Sequence, residues 1–363
     1  MLEEQKVIKM ETSATEEQVA VVVKEIERYG LRAAVIRGEF MTVIGPVGDE
    51  KKLPFDRIAV LPGVKEATMV EAPYKLISSE YAKFFGEAGG RRIINLGSVS
   101  IGSGDPVFVA GPCAVESREQ IFRIAEGVKR AGAHMLRGGV YKPRSSVHSF
   151  QGLGANGGEA AEEALAWLHE AGEEFELPVI TEIRGEAQVD LVAKYTDVLQ
   201  IGARNMYDQD LLVQAARKGK PVLIKRHFGA TIEEFLCFAE YIAAEGNKDV
   251  ILCERGIVPV GRGKSYTRYV LDLAAVPVVH KETYLPVIVD PSHATGRRDL
   301  IFSMSCAAIA AGADGLMIEV HYDPREALVD GPQMITPDEL KDVIDACRRI
   351  HRLVSSQQSN AKN

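Results

Sequence analysis

From Pro106 onward the chain repeats one pattern, a short apolar run followed by a stretch of helical period. The apolar runs read VFVAGPCAV, HMLRGGVY, PVITEI, VLQIGA, PVLIKR, VILCERG, PVIVDPSH and GLMIEVH, eight in all. Their cores are continuous Val, Ile and Leu, without the polar alternation of a half-exposed strand. Such runs suit a sheet buried on both faces, whose strands are parallel. Between them lie helical stretches such as SREQIFRIAEGVKRAG, GEAAEEALAWLHEAGEEF, TIEEFLCFAEYIAAEG and RRDLIFSMSCAAIAAGA. Ser117 with Gln120, Thr231 with Glu234, and Thr336 with Glu339 have the spacing of capping boxes at helix starts. Eight β-α units in roughly 250 residues predict an α/β fold of the (β/α)8 TIM-barrel type. An open doubly wound sheet is the rival, and it usually has fewer strands.

The 363 residues leave room for a second unit, at ~150 residues per domain. An extended run from Lys6 to Met10 precedes a helix that starts near Thr15, with Gln18 completing a capping box and Gly30 as its stop. Two short strands, RAAVIRG and FMTVIGPVG, are separated by Gly38 and Glu39 in hairpin fashion. A second helical stretch ends at LPGV, and KEATMVEA closes the unit as a strand. The order β-α-β-β-α-β is that of ferredoxin-like domains. The expected division is a small domain over residues 1–75, a linker over 76–92 and a barrel over 93–363, with INLGSVSIG as a short hairpin before the barrel. Order alone leaves sensing and assembly equally open for the small domain.

Composition narrows the function classes. Basic residues number 43 against 51 acidic, a net charge of −8, which argues against a general nucleic-acid binder. Any phosphate must be gripped by a local cluster of Lys and Arg. No apolar run approaches ~18 residues and the amino terminus has no signal-peptide core, so a cytoplasmic protein without membrane association is expected. Five cysteines without tight spacing argue against a disulfide framework.

In a TIM barrel the site forms where the strands end. The first strand runs to Cys113, the second to Arg137 and Lys142, the third to Glu182, and the fourth to Arg204. Lys225 and Arg226 end the fifth, Glu254 and Arg255 the sixth, Asp290 and His293 the seventh, Glu319 and His321 the eighth. Any one of these is an ordinary loop charge; eight strands with the same placement point to one cavity mouth. Two sets separate by type. Cys113, His293, Glu319 and Asp330 are a thiol, an imidazole and two carboxylates that could surround a divalent ion. That mixture of soft and hard ligands suits Mn, Fe, Co or Zn better than Mg or Ca. No CxxC or HExxH spacing supports it, and a buried structural cysteine is the competing account of Cys113. It is also the default for Cys237, Cys253, Cys306 and Cys347. Arg137, Lys142, Arg144, Arg204, Lys225 and Arg255 are all cationic and match the oxygens of phosphorylated substrates, with Ser145 and Ser146 as hydroxyl donors. Surface salt bridges are the competing account. GRGKS at 261–265 resembles the end of a phosphate loop, but Val258 stands where the pattern needs glycine, and the segment reads as a loop after strand six.

These motifs together resemble the 3-deoxy-D-arabino-heptulosonate 7-phosphate (DAHP) synthase family. The resemblance rests on AGPCAVES (110–117), LRGGVYKPRSSVHSFQGLG (136–154), QIGARNM (200–206), LIKRHFG (223–229), CERG (253–256), DPSHATG (290–296) and IEVH (318–321). It implies metal ligation by Cys113, His293, Glu319 and Asp330. It also implies phosphoenolpyruvate contacts from Arg137, Lys142, Arg204, Lys225 and Arg255, and an erythrose 4-phosphate seat at Lys142, Pro143, Arg144 and Ser145. Family members often have Thr at the Ser145 position, which keeps the hydroxyl. The implied catalytic residues are Lys142, Cys113 and His293. The amino-terminal unit resembles the regulatory domain of a subgroup inhibited by tyrosine and phenylalanine, and members are commonly homotetramers. The nearest alternative is 3-deoxy-D-manno-octulosonate 8-phosphate synthase, which takes arabinose 5-phosphate and carries Asn-Arg where this chain reads Pro143-Arg144. A non-catalytic phosphosugar sensor on the same barrel is the alternative from another class.

Overall fold

The computed structural model describes residues 5–38, 41–47, 52–70, 73–85, 90–142, 148–261 and 265–361. The chain divides into two compact units, Met1–Gly90 and Arg91–Asn363.

In the first unit, β1 (Gln5–Met10) leads to α1 (Glu16–Arg28), β2 (Arg32–Arg37), β3 (Thr42–Val47), α2 (Phe55–Ile58) and β4 (Val64–Val70). Both halves of the Thr15–Gln18 capping box form, and the helix buries Val19, Val22 and Ile26, spaced three and four apart. That stripe packs on Ile8, Met10 and Ile44 of the sheet and on Leu53 and Ile58. The antiparallel sheet has the order β2-β3-β1-β4, so the unit is ferredoxin-like. Gly30, at a left-handed φ of 76°, follows the end of α1. The expected turn residue Glu39 lies outside the described residues, but β2 and β3 pair as its hairpin, with Arg37 opposite Thr42. The stretch read as a linker contains a helix, α3 (Ser79–Phe85).

The second unit opens with the expected hairpin, β5 (Ile94–Leu96) and β6 (Val99–Ile101). Strands β7 (Val107–Gly111), β8 (Met135–Arg137), β9 (Val179–Ile183), β10 (Val198–Ile201), β11 (Val222–Lys225), β12 (Val250–Glu254), β13 (Val287–Val289) and β14 (Gly315–Glu319) follow. All are parallel to their neighbours, and β14 pairs with β7, which closes a barrel and excludes the open sheet. The intervening helices are α4 (Arg118–Ala131), α5 (Gly158–Glu174), α6 (Val189–Tyr195), α7 (Gln209–Ala216), α8 (Ile232–Ala244), α9 (Ala275–Glu282), α10 (Pro291–Thr295) and α11 (Ile301–Ala310), and α12 (Pro337–Ala361) ends the chain. Thr231 with Glu234 and Thr336 with Glu339 exchange both bonds of a capping box. Ser117 caps Gln120, but the Gln120 side chain accepts from Glu116 instead.

The barrel interior is filled by Val107, Val109, Met135, Ile180, Val198, Leu223, Ile251, Cys253, Ile288 and Met317, contributed by all eight strands. Ile94, Val99 and Ile101 of the β5–β6 hairpin join this cluster. The hairpin therefore stops the barrel at the end where the strands begin and leaves the other end for the loops. Cys253 and Cys347 are buried as expected, whereas Cys237 and Cys306 are half-buried on α8 and α11. No described helix is long and apolar enough to cross a membrane.

Candidate active site

At the open end the strands are shorter than the apolar runs suggest. β7 stops at Gly111, whose φ of 151° and contact with the Arg137 carbonyl leave no room for a Cβ. The chain then bends so that the Cys113 carbonyl accepts from Gly139 (3.1 Å) and from Lys142 Nζ (3.1 Å). Gly139 is needed here: a Cβ would sit 2.7 Å from both the Cys113 oxygen and the Lys142 chain. β13 stops at Val289. His293 is thus not on the strand, as expected, but on the single turn α10, where Asp290 is the N-cap and Pro291 the first residue. Glu319 ends β14, and Asp330 follows in the next loop in a left-handed conformation, φ 56°.

These four residues converge: one ligand atom from each of Cys113, His293, Glu319 and Asp330 lies within 4.8 Å of all the others. Cys113 Sγ is 3.2 Å from Asp330 Oδ2, and His293 Nε2 is 3.3 Å from Glu319 Oε1. The tautomer follows from the other ring nitrogen. His293 Nδ1 lies 2.7 Å from Asp290 Oδ2 and donates to it, which turns the Nε2 lone pair toward Glu319 and fixes the ring as a ligating imidazole would be fixed. Burial holds His293 below the usual imidazole range against the opposing pull of Asp290 and Glu319, so it is neutral at pH 7. Burial acts to raise Glu319 as well, but the Arg137 guanidinium that donates to it and the Lys142 ammonium keep the carboxyl well below its usual range. Burial and the Glu319 charge push the Cys113 thiol far up. A neutral imidazole, two carboxylates and a thiol facing one another form an acceptor-rich pocket whose chemistry fits a borderline divalent cation.

The cations gather beside this quartet. Lys142, Arg204, Lys225 and Arg255 line one cavity together with Glu182, Arg268, His293 and Asp330. Arg255 stacks over the Tyr269 ring at 4.3 Å, and its buried Nη1 has no hydrogen-bond partner among the described residues. A buried guanidinium nitrogen left unpaired in a cavity wall suits an anionic ligand. Arg137 lies deeper, donating to Glu319 Oε1 at 2.7 Å, with its Nε unpartnered among the described residues. Lys142 is buried, which acts to lower it, but the Glu182 and Glu319 carboxylates outweigh burial and raise it, so it remains an ammonium. Pro143, Arg144, Ser145 and Ser146 lie outside the described residues, as do Arg262, Gly263 and Lys264 of the GRGKS segment.

Three strand-end residues, Arg226, Glu254 and His321, are occupied elsewhere. Arg226 pairs with Glu254 and Asp272 and donates to the Ala230 carbonyl, tying the loop after β12 to the barrel. His321 accepts from the Asp323 amide and does not line the cavity. Residues the sequence did not single out also enter. Arg268 lines the cavity and reaches Gln333, whose side chain donates to Glu319 Oε2. No periodicity marks either one. Asp290 was visible only as a strand end, though Asp followed by Pro is a readable helix start.

Residues 79–354 match the DAHP synthetase I family. The chain belongs to that family. Residues 7–72 match a second family description, the DAHP synthase ferredoxin-like domain. As a member of the DAHP synthetase I family the chain is an enzyme. It is 43% identical over 344 residues to the phospho-2-dehydro-3-deoxyheptonate aldolase of Thermotoga maritima, covering 95% of this chain and 97% of that one. The crystal structure of the Thermotoga maritima DAHP synthase superposes with a TM-score of 0.73 at 42% identity, over 98% of each chain. A truncated form of that synthase covers 78% of this chain and 97% of its own, with a TM-score of 0.67 and 41% identity. A 2-dehydro-3-deoxyphosphooctonate aldolase from Geobacter sp. strain M21 is 32% identical over 282 residues, 73% of this chain and 99% of that one.

Proposed function

We propose that this chain condenses phosphoenolpyruvate with D-erythrose 4-phosphate to give DAHP and phosphate, the first step of the shikimate pathway toward the aromatic amino acids. The observation that carries the reading is the abutment of two sets: four candidate ligands within 4.8 Å of one another, and a cavity lined by Lys142, Arg204, Lys225, Arg255 and Arg268 beside them.

Cys113, His293, Glu319 and Asp330 hold a divalent ion of the Mn, Fe, Co or Zn type. Such an ion, when bound, supplies Lewis-acid polarisation of the aldehyde oxygen. Arg204, Lys225 and Arg255 grip the phosphate and carboxylate of phosphoenolpyruvate, with Arg137 and Lys142 beneath, and hold its C3 toward the aldehyde. Pro143, Arg144 and Ser145, with Lys142, seat erythrose 4-phosphate. As C3 bonds to the aldehyde carbon, the oxygen takes a proton from Lys142 Nζ; water adds at C2, and the hemiketal loses phosphate. Cys113 is a ligand, since no covalent intermediate is required.

Residues 1–75 form a regulatory domain joined by 76–92 to a catalytic barrel over 93–363. The ferredoxin-like match over 7–72 supports a separate amino-terminal domain; in this reading tyrosine or phenylalanine binds there as feedback inhibitor, and a cytoplasmic homotetramer is the working form. The second reading is 3-deoxy-D-manno-octulosonate 8-phosphate synthesis from arabinose 5-phosphate, favoured by the 32% relative. The 43% relative covers 95% of the chain, and this, with the Lys142-Pro143-Arg144-Ser145 run, favours the four-carbon sugar.

Phosphate release measured with each sugar, with and without chelator and with each aromatic amino acid, tests the reading. Turnover with erythrose 4-phosphate that chelator abolishes is the expected result. Turnover with arabinose 5-phosphate alone overturns it, and turnover with neither sugar favours the sensor.

A further inference from the structure

Asp290 stands between the two halves of the site. It is fully buried, and one of its oxygens, Oδ2, meets both His293 Nδ1 at 2.7 Å and Lys225 Nζ at 2.5 Å. Its other oxygen accepts the His293 backbone N–H at 2.9 Å, and its own N–H is bound to the Glu254 carbonyl at 2.8 Å. The carboxylate therefore cannot swing to serve one partner at a time. Two donors draw on the same negative charge, and whatever strengthens one bond weakens the other.

One donor belongs to a candidate metal ligand and the other to the cavity wall. We propose that Asp290 is a positioning residue that couples metal binding at the quartet to substrate-anion binding at Lys225, each favouring the other. This rests on the reading of the quartet as a metal site and of the cavity as the phosphoenolpyruvate seat. An anion on Lys225 takes part of the ammonium's charge, and Asp290 Oδ2 turns its charge to His293 Nδ1–H. The imidazole becomes a better donor at Nε2, and the cation is held more tightly. By linkage, a bound cation strengthens the Nδ1–H bond, loosens Lys225 from Asp290 and raises anion affinity by the same factor.

The test is Mn2+ binding to the full chain, followed by electron paramagnetic resonance of the free ion, with and without phosphoenolpyruvate and with no sugar present. Phosphoenolpyruvate should tighten Mn2+ by about fivefold or more in the native chain, a typical coupling between linked sites, and by about twofold or less in Asp290→Asn. Direct attraction between ion and anion is present in both proteins, so an equal shift in both overturns the proposal. Mn2+ binding without a shift in the native chain also overturns it while sparing the metal site. No Mn2+ binding at all overturns the metal reading and this coupling with it. If Asp290→Asn does not fold, Lys225→Met decides. With Asp290 left to His293 alone, that variant should bind Mn2+ more tightly than the native chain without any substrate; equal or weaker binding overturns the proposal.

Discussion

Arg137 donates to Glu319 Oε1 at 2.7 Å across 182 positions of sequence, and both side chains are buried. β8 and β14 are each adjacent to β7 in the barrel, so the pair bridges over the strand that leads to Cys113. Arg137→Met leaves the Glu319 carboxylate without its cation. Loss of one partner from a buried pair costs about 3–5 kcal/mol, so the chelated variant should melt well below the native chain. Mn2+ should restore part of that loss, widening the gap between metal-loaded and chelated melting temperatures. An unchanged gap would mean that the ion and Arg137 do not share Glu319.

Cys113→Ser should lose bound metal and turnover together. The loss of affinity should exceed the roughly 10–100-fold that removal of an outer hydrogen-bond partner costs. Metal analysis of purified protein beside a phosphate-release assay reads both. Chelator should abolish native turnover and Mn2+ should return it. A serine variant that keeps metal and activity removes Cys113 from the ligand set.

Lys142 is an ammonium held 3.1 Å from the Cys113 carbonyl. If it donates the proton, Lys142→Met should lower turnover by roughly 10²–10⁴-fold, the usual range for a general acid. A variant with raised KM but intact kcat would restrict Lys142 to binding.

His134 predicts an acid-sensitivity remote from the chemistry. Its Nδ1 accepts the Phe108 backbone N–H at 3.0 Å at the start of the barrel. Burial, then the Arg348 charge, hold it below the usual imidazole range, with Asp105 opposing. A depressed folded value means that the unfolded chain binds the proton first. This contribution to stability is therefore full above the unfolded value near 6.5 and falls as pH drops through and below it. Urea unfolding between pH 7.5 and 5.5 should show declining stability, with a shallower decline in His134→Asn, whose amide oxygen keeps an acceptor without titrating. Identical slopes would assign the decline to other groups.

The barrel was legible because unbroken Val, Ile and Leu cores report burial on both faces, and three of the four candidate ligands, Cys113, His293 and Glu319, because each sits at or just past the end of such a core, whereas Asp330, in the loop beyond β14, carries no such marker. What the runs hid was where each strand ends. VFVAGPCAV continues apolar to Val115 although pairing in β7 stops at Gly111, because buried residues beyond a strand are as apolar as those within it. PVIVDPSH carried its own correction in Asp290-Pro291, an N-cap followed by a helix-starting proline. Arg268 and Gln333 left no trace in the pattern. Their roles come from contacts between loops that follow different strands, and such contacts have no period. The plug formed by Ile94, Val99 and Ile101 was read as a hairpin, but its seat in the barrel depends on closure, which local sequence does not encode.

Asp330 carries its carboxylate on a backbone that favours glycine, at φ 56°, a conformation costing a non-glycine residue of order 1 kcal/mol. Fold and chemistry make opposite demands on this one position. Glycine would ease the loop and delete a proposed ligand, whereas alanine would delete that ligand and keep the discomfort. Asp330→Gly should therefore outlast Asp330→Ala in thermal unfolding while both are equally inactive, and any drift toward sturdiness at this site leads away from catalysis.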